Sequence, residues 1–585
     1  MNLISDLLLA LWPMLIILGT AGWGVAVQQV LRIKNGEDIQ DNLFNCSFKG
    51  IFLVSFGVLL INFWSGLGLN AGLWVVGIGL FFYTIALWNQ RHWAQQTLLL
   101  FVIMALTSRV YRYMWLTWDA GHYHIPYMNW VADGPVPYGI ANLNSRFGFN
   151  SAWLLFVSGL RVDSLFAYRH VVHAEIAIRA LAITWLVWQF IGELKSQRRW
   201  SIRAYLYLSV FIVLELALNG RFGERITEIG ISTTGHSTST DHPANICALL
   251  AWVVFSEQLL VQREPQRGQI RSQFGLMMTL ATLAVSFKLS MLPIILLPLF
   301  YLWRHGLHSC QQILKVAWPM ISILCMFVVS WMVRSFIMSG CLLYPVALSC
   351  FSESWAVPTN IVDEESRVVL TWARYPGTGE KYKELLNLDW LGDWSKKFVR
   401  SNVFLISAAG IVFCLLTTLF IKRRENDQSY AIMHFHFWAL CTFSTAFGGI
   451  LLWFVKAPDP RFAWGFFVIF SAALILLSLL SQNRWLPAVR IPVLTPLQVL
   501  LVYVLPVAAA FLLVITLGWK PLIPLEPQAE IVVSKNGWKA FRPSNTKGKC
   551  WALFPCSPYD IDHLDVRKVG DRWRFQNTQG VKPDN

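Results

Sequence analysis

What this sequence has little of is charge. Asp, Glu, Lys and Arg make up 14% of it, against about 25% in an ordinary soluble domain. A chain of 585 residues folded as several soluble domains could not clothe its surfaces with so few charged groups, so that class is excluded. Cysteine is also sparse, ten in the whole chain, which excludes a disulfide scaffold. No Cys/His spacing suggests a zinc site. Neither an internal repeat nor a low-complexity tract stands out, and disordered or collagenous classes are ruled out by the apolar content. A basic leader is missing too: Asp6 precedes the first apolar stretch, which at about 24 residues reads as a retained span and not as a cleaved signal.

What is there is apolar. Hydrophobic residues make up 55% and aromatics 14%, with 29 Trp, and indole rings favour the headgroup region at both ends of a span. The fold class expected is an all-α polytopic membrane protein. A spanning helix needs about 20 mostly apolar residues. That ruler gives about 14 segments, near 7–30, 49–67, 70–88, 96–114, 172–194, 203–219, 243–262, 273–287, 289–303, 313–338, 402–421, 434–455, 463–481 and 497–518. Residues 151–170 are apolar but broken by Arg161, Asp163 and Arg169, which predicts an interfacial amphipathic helix.

The net charge of +15 does not point to nucleic acid, because the basic residues are scattered over many short gaps between apolar runs. Alternate gaps hold Arg32 and Lys34, Arg91, Lys195 to Arg203, Arg263 to Arg271, Arg304, Lys422 to Arg424, and Arg484 with Arg490. The intervening gaps include the long connections 115–171, 220–242 and 339–401. The positive-inside rule then places both termini and all long loops away from the cytoplasm. Cys341 with Cys350, and Cys550 with Cys556, lie on that outer side, where disulfides persist. The other six cysteines lie in or beside spans and read as packing residues.

Chemistry concentrates in three outer segments. The first carries Asp119, His122, Tyr123, His124, Asn142, Asn144, Arg146 and Asn150, polar and aromatic groups suited to a substrate-binding loop. A partly desolvated Asp119 can take a proton from an acceptor hydroxyl or hold a divalent cation; otherwise it caps the next helix. In the second, Asp241 before Pro243 is either a helix cap or part of an anion-binding helix start. The third is Pro458, Asp459, Pro460, Arg461, Phe462. Two prolines lock the direction of the carboxylate, and Arg461 offers a planar fork for phosphate unless it simply pairs with Asp459. Lys288 between two apolar segments either serves an anionic head group or snorkels to the interface.

These residues carry a resemblance. The strings "DAGHYHIPYMNW", "GIANLNSRFGFNSAW", "STSTDHPA", "FKLSMLP", "SGCLLYP", "APDPRF" and "CWALFPCSP" stand in the order of an uncharacterised family of bacterial multi-spanning membrane proteins. The acidic residue in a large first outer loop resembles the GT-C superfamily of integral membrane glycosyltransferases. The resemblance implies an added N-terminal unit of three spans over 1–94, a GT-C-like module over 95–519 and a small periplasmic tail over 520–585. It also implies sugar transfer from a polyprenyl-phosphate donor to a glycan, lipid or protein acceptor at the outer face of the bacterial inner membrane.

Asp119 would then be the catalytic residue, with Tyr123, His124, Asn142, Arg146, Asn150, Asp241, Lys288, Asp459 and Arg461 as the substrate-binding set. A divalent cation is the one cofactor the chemistry leaves open, with Asp119 as its ligand. Superfamily members often have two adjacent acidic residues there, whereas Trp118 and Ala120 flank Asp119. The alternatives are a transporter or flippase of lipid-linked sugars or other solutes, and an O-antigen polymerase or ligase.

Overall fold

The structure, a computed structural model, describes residues 3–32, 42–90, 92–110, 118–166, 170–197, 201–219, 239–260, 267–307, 309–375, 388–420, 429–481, 528–544, 548–551 and 553–578. The predicted span 497–518 lies outside the described residues, as do Gly235 to Thr238 and several of the basic gaps, among them Lys34, Arg91, Arg263 and Lys422 to Arg424.

Three long helices open the chain: α1 (Leu3–Arg32), α2 (Leu43–Asn62) and α3 (Ala71–Asn89). Glycines let them touch backbone to backbone. A Cβ on Gly50 would lie 1.7 Å from Thr20 O, and one on Gly22 would lie 1.8 Å from Gly79 O. Small residues at such crossings are how helices gain dispersion contact where lipid offers no hydrophobic drive. After α4 (His92–Val110) the first long connection folds into α5 (Ile125–Asp133), α6 (Ala152–Gly159) and α7 (Asp163–Phe166). Then come α8 (His170–Gln197), α9 (Ile202–Asn219), α10 (Asp241–Leu259), α11 (Arg267–Phe287), α12 (Leu296–Arg304) and α13 (Cys310–Ser339). The second large connection carries α14 (Thr359–Arg374) and α15 (Trp390–Val399), and α16 (Asn402–Phe420), α17 (Ser429–Lys456) and α18 (Trp464–Ser481) complete the bundle.

The chain is a multi-pass helical membrane protein. Every predicted span within the described residues carries helix, but among the described residues eight helices are long and apolar enough to cross a bilayer: α1, α2, α3, α8, α11, α13, α16 and α17. Shorter apolar helices run over Ile202–Leu214, Leu289–Arg304 and Trp464–Leu479. The predicted span 289–303 is divided, because the chain passes through a 3-10 turn holding Pro293 before α12 begins. Pro removes a helix hydrogen bond and disfavours helix just before it.

Residues 151–170 correct a second expectation. Among its described residues the apolar stretch forms α6, which is buried along its whole length and packs against α2, α5 and α11 inside the bundle. Eight residues rise only about 12 Å, too little to cross. Arg161, which interrupts the apolar run, turns back to hydrogen-bond Asp163 at 2.6 Å and 2.8 Å.

The C-terminal region is not a featureless tail. It forms two antiparallel hairpins, β1 (Ala529–Val533) with β2 (Lys539–Pro543) and β3 (Leu564–Val569) with β4 (Arg572–Asn577). Alternation explains β3 and β4, where Leu564, Val566 and Phe575 point inward between polar neighbours, and Val532 and Ala540 are the buried positions of β1 and β2. The module docks on the first long connection, where Tyr138 and β4 exchange backbone hydrogen bonds of 2.9 Å with Trp573 and Phe575. Both cysteine pairs, Cys341–Cys350 and Cys550–Cys556, are disulfide-bonded.

Gly50→Ala should push α2 off α1 and destabilise the bundle by about 1–3 kcal/mol. In detergent this reads as a lower apparent Tm, while Gly57→Ala, with no heavy atom within 4 Å of the new Cβ, should leave it unchanged.

Candidate functional site

Asp119 stands where the chain enters a wide π-helical turn, Ala120–His124, closed by Ile125 N–H donating to Ala120 O. Pro126 has no N–H to return to His122 O, and Asn144 Nδ2 donates to that carbonyl instead, at 3.4 Å. Asp119 makes no capping hydrogen bond to the turn. Its Oδ1 accepts from Arg146 Nη1 at 2.9 Å, and its Oδ2 faces Arg461 Nη1 at 3.9 Å. Arg146 rides on a short 3-10 turn, Ser145–Phe149, capped by Asn144. On its far side Arg146 Nε lies 3.6 Å from Glu365 Oε1 on α14, and Ser145 Oγ donates to Glu365 Oε2 at 2.5 Å.

Asp241 does not cap α10 either. Thr240 holds that position, and the Asp241 carboxylate pairs with Lys288 and lies 3.8 Å from Arg461 Nε. One side chain sets this register. Asn245 Nδ2 donates to Asp241 O at 2.7 Å while its Oδ1 accepts from Gly465 N at 2.8 Å, pinning the start of α10 to the start of α18. The turn before α18 is equally constrained. Asp459 Oδ1 accepts from Arg461 N at 2.9 Å, Trp453 Nε1 donates to Asp459 O at 2.6 Å, and Trp394 Nε1 donates to Pro458 O at 2.5 Å. The Arg461 guanidinium then lies over the rings of Trp372, at 4.4 Å, and Phe462, at 4.8 Å, and Lys288 Nζ sits 3.3 Å from the Phe462 centroid.

The result is one network: Asp119, Asp241, Asp459 and Glu365 interleaved with Arg146, Arg461 and Lys288. Arg461 faces three carboxylates at 3.8–3.9 Å, too far for direct hydrogen bonds. It is therefore the cation least committed to partners within the network. Solvent reaches one edge, since the side chains of Asp119, Arg146, Arg461 and Lys288 are 16%, 22%, 26% and 21% exposed, while Asp241 and Glu365 lie behind at 5% and 7%. The residues do not fit a divalent cation. Asp119 has a guanidinium on each side where a second carboxylate would be needed, and no group of three His, Cys, Asp or Glu among the described residues is arranged to hold a metal. Burial raises the pKa of Asp459 above the ordinary carboxylate value despite Arg461 beside it.

Of the remaining sequence candidates, Tyr123 joins the network through its ring, 5.5 Å from the Arg146 guanidinium, and His124 packs edge-on against it at 4.2 Å. Asn142 and Asn150 are placed differently. Asn142 Nδ2 donates to the carbonyls of Gly139, Trp355 and Phe575, tying the loop to the β module. Asn150, at φ +34°, bonds Trp331 O at 2.7 Å and accepts from Arg334 at 2.6 Å. Glu365, Trp372 and Arg334 were not among the candidates. Glu365 has a sequence signal, since it stands three residues after the buried Val362 on the inward stripe of α14, unlike the exposed Asp363 and Glu364. Arg334 has one too, a charge inside the predicted apolar span 313–338: it is buried and bonded to Asn62, Tyr127 and Asn150.

The β module clasps the turn that carries Asp119. Gly121 O accepts from Cys550 N at 2.8 Å and Trp551 N at 3.2 Å, and a Cβ on Gly121 would meet the Trp551 ring at 2.7 Å. His122 Nδ1 lies 3.0 Å from Gly548 O and Nε2 lies 3.3 Å from Tyr559 OH. A neutral ring with its proton on Nδ1 satisfies both contacts.

Burial lowers the pKa values of His122 and His124 to about 4. A lowered histidine pKa favours the docked state above the ordinary value of about 6.5, and this stabilisation is lost as pH falls toward 4. Taking the pH from 7 to 5 should therefore weaken docking by about 2 kcal/mol for His122 alone. Hydrogen exchange over residues 548–559 should quicken accordingly, and His122→Asn should remove the share of this acid sensitivity that His122 supplies.

No curated protein and no solved structure matches the chain. The chain belongs to the family described as "Domain of unknown function (DUF8201)", which matches residues 7–468 and so takes in the whole charged network while ending before the β hairpins.

Proposed function

We propose that this protein is a membrane glycosyltransferase that moves a sugar from a polyprenyl-phosphate donor to a cell-envelope acceptor at the outer face of the bacterial inner membrane. The observation that carries the reading is Asp119, a carboxylate on a solvent-reached edge, oriented by Arg146 and facing the loosely held Arg461. In the proposed reaction Asp119 accepts the proton of an acceptor hydroxyl, and the acceptor oxygen attacks the anomeric carbon. The bond from that carbon to the phosphate oxygen breaks, and the lipid phosphate leaves with its negative charge stabilised by Arg461 and Lys288. Arg461 is suited to this because guanidinium binds phosphate in a planar, two-pronged manner.

The GT-C resemblance of the first outer loop supports the same reading. So does the arrangement of the outer connections: those bearing the network, both disulfides and the β module meet at one end of the bundle, as expected if that end faces an oxidising compartment. In this reading the three shorter apolar helices, α4, α10 and the segment 497–518 cross as well, giving about 14 spans.

One observation favours a transporter. Glu175 and Arg179 are buried within α8, and ionisable groups inside a span often mark a solute path. Both lie within the first ten residues of α8 (His170–Gln197), near the end at which the first long connection enters it and not at mid-span.

Membranes carrying the protein should transfer radiolabelled sugar from a polyprenyl-phosphate donor into an acid-stable product. Asp119→Asn should lower the rate by about 10²–10⁴-fold. Sugar accumulating in proteoliposomes without covalent transfer would favour the transporter and remove this reading. Because guanidinium groups flank Asp119, chelation with EDTA should leave the transfer rate within about twofold of the untreated value.

A further inference from the structure

Two exposed aromatic rings meet beside Asp119 although they stand far apart in the chain. Trp118 is 41% and Tyr559 49% exposed, and both pack on the buried His122. Trp118 stacks on it at 3.9 Å, nearly parallel, and Tyr559 meets it edge-on at 5.9 Å. The Arg146 guanidinium lies 5.4 Å from the Trp118 centroid, so the rings adjoin the charged edge of the site.

Lipid is not what these rings face. Tyr559 precedes Asp560, which pairs with Arg542, itself paired with Glu530, and Asp565 pairs with Arg567 on the same module. Exposed ion pairs of this kind belong in water, and they lie on the stretch of the module next to Tyr559, where Asp560 and Arg542 stand. Exposed aromatic rings on a watery surface next to a carboxylate and a guanidinium combine an apolar face with fixed hydrogen-bonding groups. A pyranose ring has the complementary pattern: one face of C–H bonds and an equator of hydroxyls. A prenyl chain would leave the hydrogen-bonding groups unmatched, and a peptide would be expected to engage backbone groups, which here are occupied by the loop–module bonds.

We propose that Trp118 and Tyr559 form the acceptor subsite and that the acceptor is a glycan, its terminal sugar ring stacked on these two rings with a hydroxyl directed at Asp119. This rests on the transferase reading and narrows it from an unspecified acceptor to a carbohydrate. It also gives the β module a task. The family match ends at residue 468, so Tyr559 reaches the Asp119 edge from a part of the chain beyond the matched region.

The test needs no lipid donor. The full chain in lipid nanodiscs is offered an array of neutral and N-acetylated oligosaccharides. At least one should be retained, with retention falling by about tenfold or more in Trp118→Ala and in Tyr559→Ala. Tyr559→Phe, which keeps the ring, should stay within about twofold of the unaltered protein. Hydrogen exchange at Gly121 and residues 548–556 checks that the module remains docked, and Trp118→Phe replaces the alanine variant if it does not. Retention of no oligosaccharide, or retention unaffected by the variants, would overturn the proposal. Sugar transfer to a lipid or protein without oligosaccharide binding would remove the subsite and leave the transferase reading standing. Oligosaccharide binding lost in the variants, without any transfer, would keep the subsite and remove that reading.

Discussion

A half-buried guanidinium has to be neutralised, and in this protein that requirement is met from several directions at once. Arg461 lies within 3.9 Å of Asp119 and 3.8 Å of Asp241, with Asp459 two residues before it. Withdrawing such a cation from water costs several kcal/mol unless opposite charges accompany it. Each carboxylate belongs to a different connection, so satisfying one arginine fixes the first long loop, the start of α10 and the turn before α18 relative to one another. Lys288 and Arg146 extend the same logic outward, to the end of α11 and to Glu365 on α14.

The rest of the molecule supports that convergence in two ways. Below it, close-packed helices supply rigid ends: glycine contacts bring α1 onto α2 and α3, and Asn245 locks α10 to α18. Above it, the β module holds the π-turn through Gly121 and His122. Neutral His122 suits this second role, because an uncharged ring can be buried beside Arg146 without adding to the positive charge already there. Arg334 performs a related task in the bundle, binding α2, α5 and the loop around Asn150 through hydrogen bonds to Asn62, Tyr127 and Asn150.

Much of the network could be read from isolated residues, because charged groups at the margins of apolar runs are costly and therefore conspicuous. Asp119, Asp241, Lys288, Asp459 and Arg461 all stand out in that way. The same signal did not separate ligand-facing groups from structural ones. Asn142 and Asn150 are as polar and as close in sequence to Asp119, yet their amides hold backbone carbonyls. Glu365 was hidden among Asp363 and Glu364, since choosing among three adjacent acids requires the helix phase. The broken apolar segment around Arg161 differs for a related reason: a local ion pair with Asp163, in the link between α6 and α7, let its apolar neighbours enter the core.

By itself the sequence determined that the chain is helical, apolar and multi-pass, and that its chemistry gathers in the connections, because hydrophobic run length and the cost of burying charge are local properties. Which carboxylates meet Arg461, and that the C-terminal hairpins reach Asp119, were decided only by tertiary structure. Those outcomes depend on contacts between residues hundreds of positions apart, such as Asp119 with Arg461 and His122 with Tyr559. Such pairs leave no periodicity or spacing in the chain, since their energy exists only once the helices have packed.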